Sequence, residues 1–293
     1  MPHLFKYVTP STGRKIIENG TLRWSTPPTL NDPFDMQFAF QLWIDRRTVR
    51  AMALDKMWQH FFGELLDQPL TEGGRMIRQR RGEFTRCMSR EEFSKDPEFA
   101  DVVDETIDMT EKNMAQTSAT ILRMFENDKI LCLSDIPDSI LMWSYYAQNH
   151  AGMVLRFTDA APNNPLTRAQ RVIYVDQMPS LFDDEMLSNM LAGYKGLDER
   201  QIMDVVTYTK SSLWSHEREW RVSANRGRSD RPYEDLPFNA KELDGVIFEV
   251  RAEAERRALT ALLKARYPHV ELLQAKARSD AFALTFEPAI SRP

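Results

Sequence analysis

The chain opens on a short apolar and aromatic run, Leu4-Phe5-Lys6-Tyr7-Val8, with the length and composition of a strand. Thr9-Pro10-Ser11-Thr12 supplies turn and N-cap chemistry for a helix over 13–19. Gly20 stands where a helix commonly ends in a left-handed residue. Thr21-Leu22-Arg23-Trp24-Ser25 alternates as a second strand. In the proline-bounded loop over 27–35, Asn31 and Asp32 are placed to bond nearby backbone, and Pro33 biases Asp32 towards an extended conformation. From about 45 to 127 the period changes. Val49, Met52 and Ala53, then Phe61, Phe62, Leu65 and Leu66, then Val102, Val103 and Ile107, then Ile121, Leu122 and Phe125 recur at helical spacing. A basic stretch with Arg75, Arg78, Arg80, Arg81, Arg86 and Arg90 lies among them. The pattern predicts a mainly helical insertion over 45–128 within one domain spanning 1–293.

Beyond the insertion, a strand is predicted over 130–134 and a helix from about 139 to 149, ending near Gly152. Strands over 153–157 and 171–175 follow, then a helical stretch over about 180–213. Further strands are expected over 219–223 and 245–250, a helix over about 252–266, and two closing strands over 270–273 and 281–286. Strands come in bursts rather than in regular alternation with helices. That order predicts an α+β fold: a central, mostly antiparallel, split sheet with flanking helices and the helical insertion.

Composition narrows the class without touching the chemistry. The 293 residues are 42% apolar and 28% charged, ordinary globular usage that excludes a mainly disordered chain. Two cysteines, Cys87 and Cys132, are too few for a disulfide framework or a four-thiolate zinc site, and such scarcity suits a reducing cytoplasm. There is no apolar run of about 18 residues, and the first residues lack the regions of a signal peptide, so a cytoplasmic location without a membrane partner is expected. The net charge of −5 gives no global pull towards nucleic acid, although the arginine stretch leaves room for a local patch. Glycine-rich dinucleotide and P-loop motifs, a zincin pair and a nucleophile elbow are all missing. The five histidines lie in separate segments, none at ligand spacing from a cysteine, and no structural metal is expected.

Three constellations remain. Lys6 and Tyr7 sit on the first strand, near Asn31-Asp32-Pro33-Phe34-Asp35; a solvated lysine and a well-capped turn would look the same. At helical spacing, Trp143, Tyr146 and His150 share one face of the helix that begins near Ser139. They are more polar-tipped than packing needs, although such stripes usually face a core. If 217–223 is a strand, Glu217, Glu219 and Arg221 share one face, and Arg218, Trp220 and Val222 the other. Two carboxylates beside a guanidinium suit acid–base work, whereas an exposed Glu–Arg pair would contribute at most about 1 kcal/mol.

In this order the constellations resemble a bacterial and phage family known as domain of unknown function 2971. Its pattern corresponds here to Lys6-Tyr7, Asn31 to Asp35, Cys132-Leu133-Ser134, Met142 to Gly152 and Trp214 to Arg221. Tyr145 stands where the family often has a histidine, and Phe248-Glu249 replaces a glycine commonly found after the strand near 247.

The element order is also similar to that of ADP-ribosyltransferases, and this resemblance implies an NAD-binding effector enzyme that transfers ADP-ribose to a nucleic acid or protein acceptor, or cleaves NAD. It implies Glu219 or Glu217 as the catalytic carboxylate. Lys6 or Tyr7 would meet NAD at the first strand, Ser134 and Tyr146 the nicotinamide end, and Arg14 or Arg221 the pyrophosphate. Asn31, Asp32, Trp143 and His150 complete the implied binding set. Phage defence is the setting it suggests. Two alternatives stand beside it. One is a divalent-metal nuclease or phosphoesterase built on Asp32, Asp35, Glu217 and Glu219 with phosphate contacts from the arginine stretch. The other is a non-catalytic module that binds a ligand or a protein through the aromatic helix.

Overall fold

The computed structural model describes residues 3–64, 67–83, 86–159, 163–196, 199–224, 231–249 and 253–289; Leu65, Leu66, Val250 and Ala252 of the expected elements lie outside them. Strand β1 (Leu4–Val8) ends at Thr9, whose hydroxyl accepts the Thr12 amide and starts α1 (Pro10–Asn19). Gly20, at φ 67°, closes α1 in the left-handed conformation and turns the chain into β2 (Thr21–Ser25).

The remaining strands are β3 (Lys129–Ser134), β4 (Met153–Phe157), β5 (Gln170–Arg171), β6 (Ile173–Val175), β7 (Thr209–Ser211), β8 (Glu219–Ala224), β9 (Tyr233–Pro237), β10 (Leu243–Phe248), β11 (Glu271–Ala277) and β12 (Leu284–Pro288). The helices after α1 are α2 (Arg46–Phe61), α3 (Glu72–Gln79), α4 (Arg90–Lys95), α5 (Pro97–Phe125), α6 (Ile140–Tyr146), α7 (Asp184–Leu191), α8 (Glu199–Tyr208) and α9 (Glu253–Arg266). Among the described residues, no helix is long and apolar enough to cross a membrane.

Among the described residues, ten strands form one mixed, mostly antiparallel sheet in the order β12-β11-β10-β4-β1-β3-β2-β9, with β8 along β3 and β5 along β8. Among the described residues, only β10 and β11 run parallel within it; β6 and β7 form a separate parallel pair. The architecture is α+β, with the sheet split at β3. One edge of β3 pairs with β8 from Lys129 to Ser134. The other edge is shared: β1 touches it only at Ser134, through Phe5, and β2 only at Ile130, through Ser25. Between those two bridges the strands part at Cys132. The Asp135 amide donates to the Arg218 carbonyl, which sets the phase of the β3–β8 ladder. By alternation, the amide and carbonyl of Cys132 then face the gap between β1 and β2.

The strands of this sheet unit bury opposite faces in two cores. Leu4 and Val8 of β1 join Leu155 and Val246 beneath Ile16 and Ile17 of α1 and Leu259 and Leu263 of α9. Phe5 and Tyr7 point the other way and pack with Val154, Ile247 and α6 through Met142 and Trp143.

The chain divides into two units: 1–37, 125–176 and 207–293 form the sheet unit, and 38–124 with 177–206 form a helical one. The helical region read from the sequence as 45–128 therefore also takes in α7 and most of α8. Val49, Leu54 and Phe61 of α2, Phe93 of α4, Val103 and Ile107 of α5 and Leu187 of α7 build its core. Gly74 of α3 lies so close to Gly193 that a Cβ on it would meet the Gly193 carbonyl oxygen at 1.9 Å. The arginine stretch is largely engaged inside this unit. Arg80 pairs with Glu83 and Glu98, Arg86 with Glu92 and Arg90 with Asp55, and Arg81 donates to the carbonyls of residues 59, 60 and 63.

Several boundaries differ from the sequence pattern. The stretch over 180–213 breaks into α7, α8 and β7, because Thr209–Ser211 is drawn into pairing with β6. The strand over 171–175 breaks at Val172, whose amide turns to the Glu219 carbonyl. The helix from Ser139 stops at Tyr146, since Gln148, Asn149 and His150 all have positive φ. The last strand starts at Leu284 rather than 281, leaving Phe282 fully exposed. Strand β9 has a charged, half-exposed sequence without apolar alternation, and pairing with β2 alone makes it a strand.

Candidate functional site

The gap between β1 and β2 is a cavity of about 230 Å³. Phe5, Tyr7, Met142 and Tyr146 give it aromatic and apolar walls; Lys6, Asn31 and Cys132 line it as well; and Asp35, Lys210, Glu217 and Glu219 carry its ionic side. Lys6 reaches across the gap, its ammonium donating at 2.7 Å to the Cys132 carbonyl that the split leaves without a strand partner on that side. A second cavity of about 340 Å³ continues from it, sharing Lys6, Tyr7, Arg23, Ser25 and Tyr146 and adding Thr9, Thr12, Lys15 and Asp235.

The ionic side is one connected network. Arg221, on β8, is fully buried and forks onto two carboxylates. Nη1 and Nη2 donate to Asp35 at 2.7 and 2.6 Å, and Nε and Nη2 donate to Glu219 at 2.7 and 2.9 Å. The Thr207 carbonyl accepts a further bond from Nη1 at 2.8 Å. Lys210, on β7, donates to Glu217 at 2.6 Å and Glu219 at 2.9 Å, with Asp35 at 3.3 Å. Tyr146 donates to the other oxygen of Glu217 at 2.5 Å and accepts from Asn31 at 2.8 Å. All five ionic residues are at most 5% exposed. Three carboxylates thus share two cations in a region where water screens little.

Burial alone would neutralise each of these groups, and the partners decide which resist. Burial opposes the Glu219 carboxylate, but Arg221 and then Lys210 outweigh it and hold Glu219 well below the usual carboxylate range. Burial likewise opposes the Lys210 ammonium, and Glu219, Asp35 and Glu217 overcome it, keeping the lysine charged. Arg221 is held charged against burial by Glu219 and Asp35. Glu217 goes the other way: burial raises it, Lys210 compensates only in part, and Glu219 adds repulsion, so its carboxyl is pushed up. Burial and the adjacent Glu217 also raise the Tyr146 hydroxyl, and burial raises the Cys132 thiol. Within the network Glu217 is thus pushed up by burial while Arg221 and Lys210 hold Glu219 down.

The expected strand face therefore has a different geometry. Glu217 ends a 3₁₀ turn (Ser212–Glu217), and Arg218, at φ 46°, reverses the backbone before β8 begins at Glu219. The two carboxylates meet through Lys210 rather than by alternation along one strand. The pair with Arg221 is buried, not the exposed pair of the plainer reading.

The other residues singled out from the sequence separate. Lys6, Tyr7, Asn31 and Tyr146 line the cavity with the two glutamates. Tyr7 is also tied by its hydroxyl to the Ile136 carbonyl at 2.9 Å and sets its ring edge-on to Trp143. Ser134 is buried behind the site, donating to the Glu217 carbonyl at 2.7 Å and so fixing the turn that carries this carboxylate. Asp32 caps the Phe34 amide at 2.9 Å and shapes the loop that presents Asp35. Trp143 is core, its indole N–H bonded to the Pro137 carbonyl. His150 lies apart, with Nδ1 at 3.1 Å from Glu249 and Nε2 at 3.2 Å from Ser144. Arg14 pairs with Glu18 on α1 and lines neither cavity, and Arg221 is enclosed by its carboxylates. The sequence reading gave neither Lys210, at the head of the third constellation's segment, nor Arg23 a role in the site. Lys210 opens the Lys210-Ser211-Ser212 run before Trp214, where nothing local marks a lysine as buried.

Residues 142–222 match a family model described as "Protein of unknown function (DUF2971)", the family that the motifs resemble. The matched segment carries Tyr146, Lys210, Glu217, Glu219 and Arg221. No curated protein and no solved structure matches the chain.

Proposed function

We propose that the split in the sheet binds NAD and that Glu217 assists transfer or hydrolytic release of its ADP-ribosyl group. The observation that carries this reading is the order of charge along the two cavities. Asp35, Glu217 and Glu219 stand on the ionic side of the inner one beside aromatic walls, Lys6 and Arg23 line both cavities, and Lys15 and Asp235 line the outer one. NAD carries its charges in the matching order: a cationic ring, a ribose, then a pyrophosphate. The inner volume of about 230 Å³ suits the ring and its ribose, and the outer 340 Å³ extends the site into the usual range of about 300–1,000 Å³ for small-molecule pockets.

In this reading the ionised Glu217 carboxylate faces the positive charge that develops on the ribose as the bond from C1′ to the nicotinamide nitrogen breaks, its electron pair leaving with the ring. The acceptor, water or a nucleophile on a nucleic acid or protein, forms the new bond to C1′, and Glu217 takes its proton. Tyr146 and Lys210 each hold one oxygen of that carboxylate. Glu219 acts through Lys210 and Arg221 and is a positioning residue. An effector role in phage defence is the setting suggested by the family resemblance.

The metal-dependent alternative finds less support in this arrangement. The oxygens of Asp35, Glu217 and Glu219 that a divalent ion would need are engaged by Lys210, Arg221 and Tyr146, and an Asp32 oxygen caps a backbone amide.

Thermal unfolding across an NAD titration tests the proposal. A saturable stabilisation is expected, about 2.7 kcal/mol at 100 times the dissociation constant. An unchanged midpoint up to millimolar NAD would remove the reading, and binding with neither nicotinamide nor ADP-ribose formed would favour a non-catalytic module.

A further inference from the structure

We propose that Ser144, His150 and Glu249 form a nucleophilic site that takes the acyl group of apolar carboxylic esters. None of the three lines either cavity, and the NAD reading makes no use of them. Ser144 comes from the last turn of α6, His150 from the reversal that follows it, and Glu249 from just beyond β10. Glu249 is buried at the end of the β4–β10 ladder, where its amide donates to the Gly152 carbonyl at 3.4 Å. Its carboxylate can only accept, and it accepts from Nδ1 of His150 at 3.1 Å. Nε2 then carries the lone pair of the ring, and it lies 3.2 Å from the Ser144 hydroxyl. A carboxylate that fixes the tautomer, an imidazole base and a hydroxyl stand in series, the arrangement that activates a serine as a nucleophile.

The backbone is bent to make this series. Gln148, Asn149 and His150 have φ of 49°, 51° and 63°, three successive left-handed residues, each disfavoured where a Cβ is present. A helix can end on one such residue, as α1 does at Gly20. The longer reversal folds His150 back over α6, with its amide on the Trp143 carbonyl at 3.2 Å and its ring nearly parallel to the Trp143 indole. Backbone strain of this kind gathers at functional sites, and here it delivers the imidazole to the hydroxyl. Ile140 and Leu141, one turn before Ser144 on the same side of α6, are 41% and 45% exposed and give an apolar acyl group its contact. The exposed carboxamides of Gln148 and Asn149 have no hydrogen-bond partner among the described residues and are the donors for a carbonyl oxygen that gains negative charge. In the reaction, Ser144 Oγ bonds to the ester carbonyl carbon as its proton passes to Nε2. The bond to the alcohol oxygen breaks and the alcohol leaves with that proton. Water then repeats the sequence, releasing the acid and restoring Ser144.

Labelling of the intact chain with an alkyl fluorophosphonate, located by peptide mass spectrometry, tests the site without NAD. Activated serines displace the fluoride, so one equivalent is expected on Ser144, matched by a burst of nitrophenol from p-nitrophenyl butyrate. His150→Gln is expected to lower the maximal labelling rate by about 10²–10⁴-fold, the contribution of a general base. Glu249 is a positioning residue. Glu249→Gln is expected to lower the maximal rate by at least about tenfold and to leave the half-saturating concentration unchanged, with unfolding midpoints confirming that both variants fold. Ser144→Ala removes only a hydroxyl and is expected to abolish the burst. No label on Ser144, or a label formed equally fast in His150→Gln and Glu249→Gln, would overturn the proposal. A burst that persists in Ser144→Ala would overturn it as well, even if either of the other variants failed to fold.

Discussion

Arg221→Met is expected to destabilise the sheet unit by about 3–5 kcal/mol, the cost of stranding buried charges after one partner is removed. The guanidinium is fully buried, and it donates to both oxygens of Asp35 and both of Glu219. Without it, Lys210 is left to balance three carboxylates. Arg221→Lys is expected to recover little, since an ammonium lacks the planar fork that spans two carboxylates. Denaturant unfolding of the variants against wild type measures the loss. The pH dependence has a definite sign. Glu219 is held below its ordinary value in the folded chain, so its contribution is full above an ordinary glutamate pKa of about 4.3 and is lost as pH falls below it. Wild type should therefore lose stability on acidification through that range. In Arg221→Met much of this loss is expected to be absent, because the largest partner lowering Glu219 is gone.

Glu217→Gln is expected to do the opposite, keeping the fold while removing the function. Glutamine still offers an oxygen to Lys210, and a buried carboxyl is gone, so the unfolding midpoint should be unchanged or higher. The wild-type carboxyl is raised in the folded chain, so its cost is absent below about pH 4.3 and grows as pH rises through the folded value. The stability difference in favour of the variant should widen over that window and then level. NAD turnover is expected to fall by about 10²–10³-fold, the scale of removing one group that stabilises transition-state charge. Assay of nicotinamide release, beside the unfolding curves, checks both halves. Glu219→Gln is the informative contrast. It weakens the bonds to Arg221 and Lys210, so it should lose stability along with activity.

Local chemistry marked the start of the sheet unit well. The Thr9 cap, the left-handed Gly20 and the flanking apolar runs over 4–8 and 21–25 specify a strand–helix–strand from neighbouring residues alone. The α+β class followed from the clustering of strands. The elements that escaped detection depend on distant partners. β9 is a charged strand that exists because β2 lies beside it, and β7 was read as the end of a helix because its pairing with β6 is invisible in its own three residues. The candidate site divides along the same line. The two glutamates and Arg221 stand out by spacing. A lysine buried at position 210 looks like any surface lysine until Asp35, Glu217 and Glu219 are folded around it. Trp143, Tyr146 and His150 share a face on an ideal helix, but the helix ends at Tyr146, so the first goes to the core, the second to the cavity and the third to Glu249.

The central claim is that the gap where β1 and β2 part along β3 is a ligand site. Amide hydrogen exchange of the intact chain with and without saturating NAD addresses it directly. Protection is expected in β1, in the loop around Asn31 to Asp35, in β3 near Cys132 and in the turn from Glu217 to Glu219, with the helical unit unchanged. Protection confined to the helical unit, or none in the presence of saturating ligand, would contradict the account.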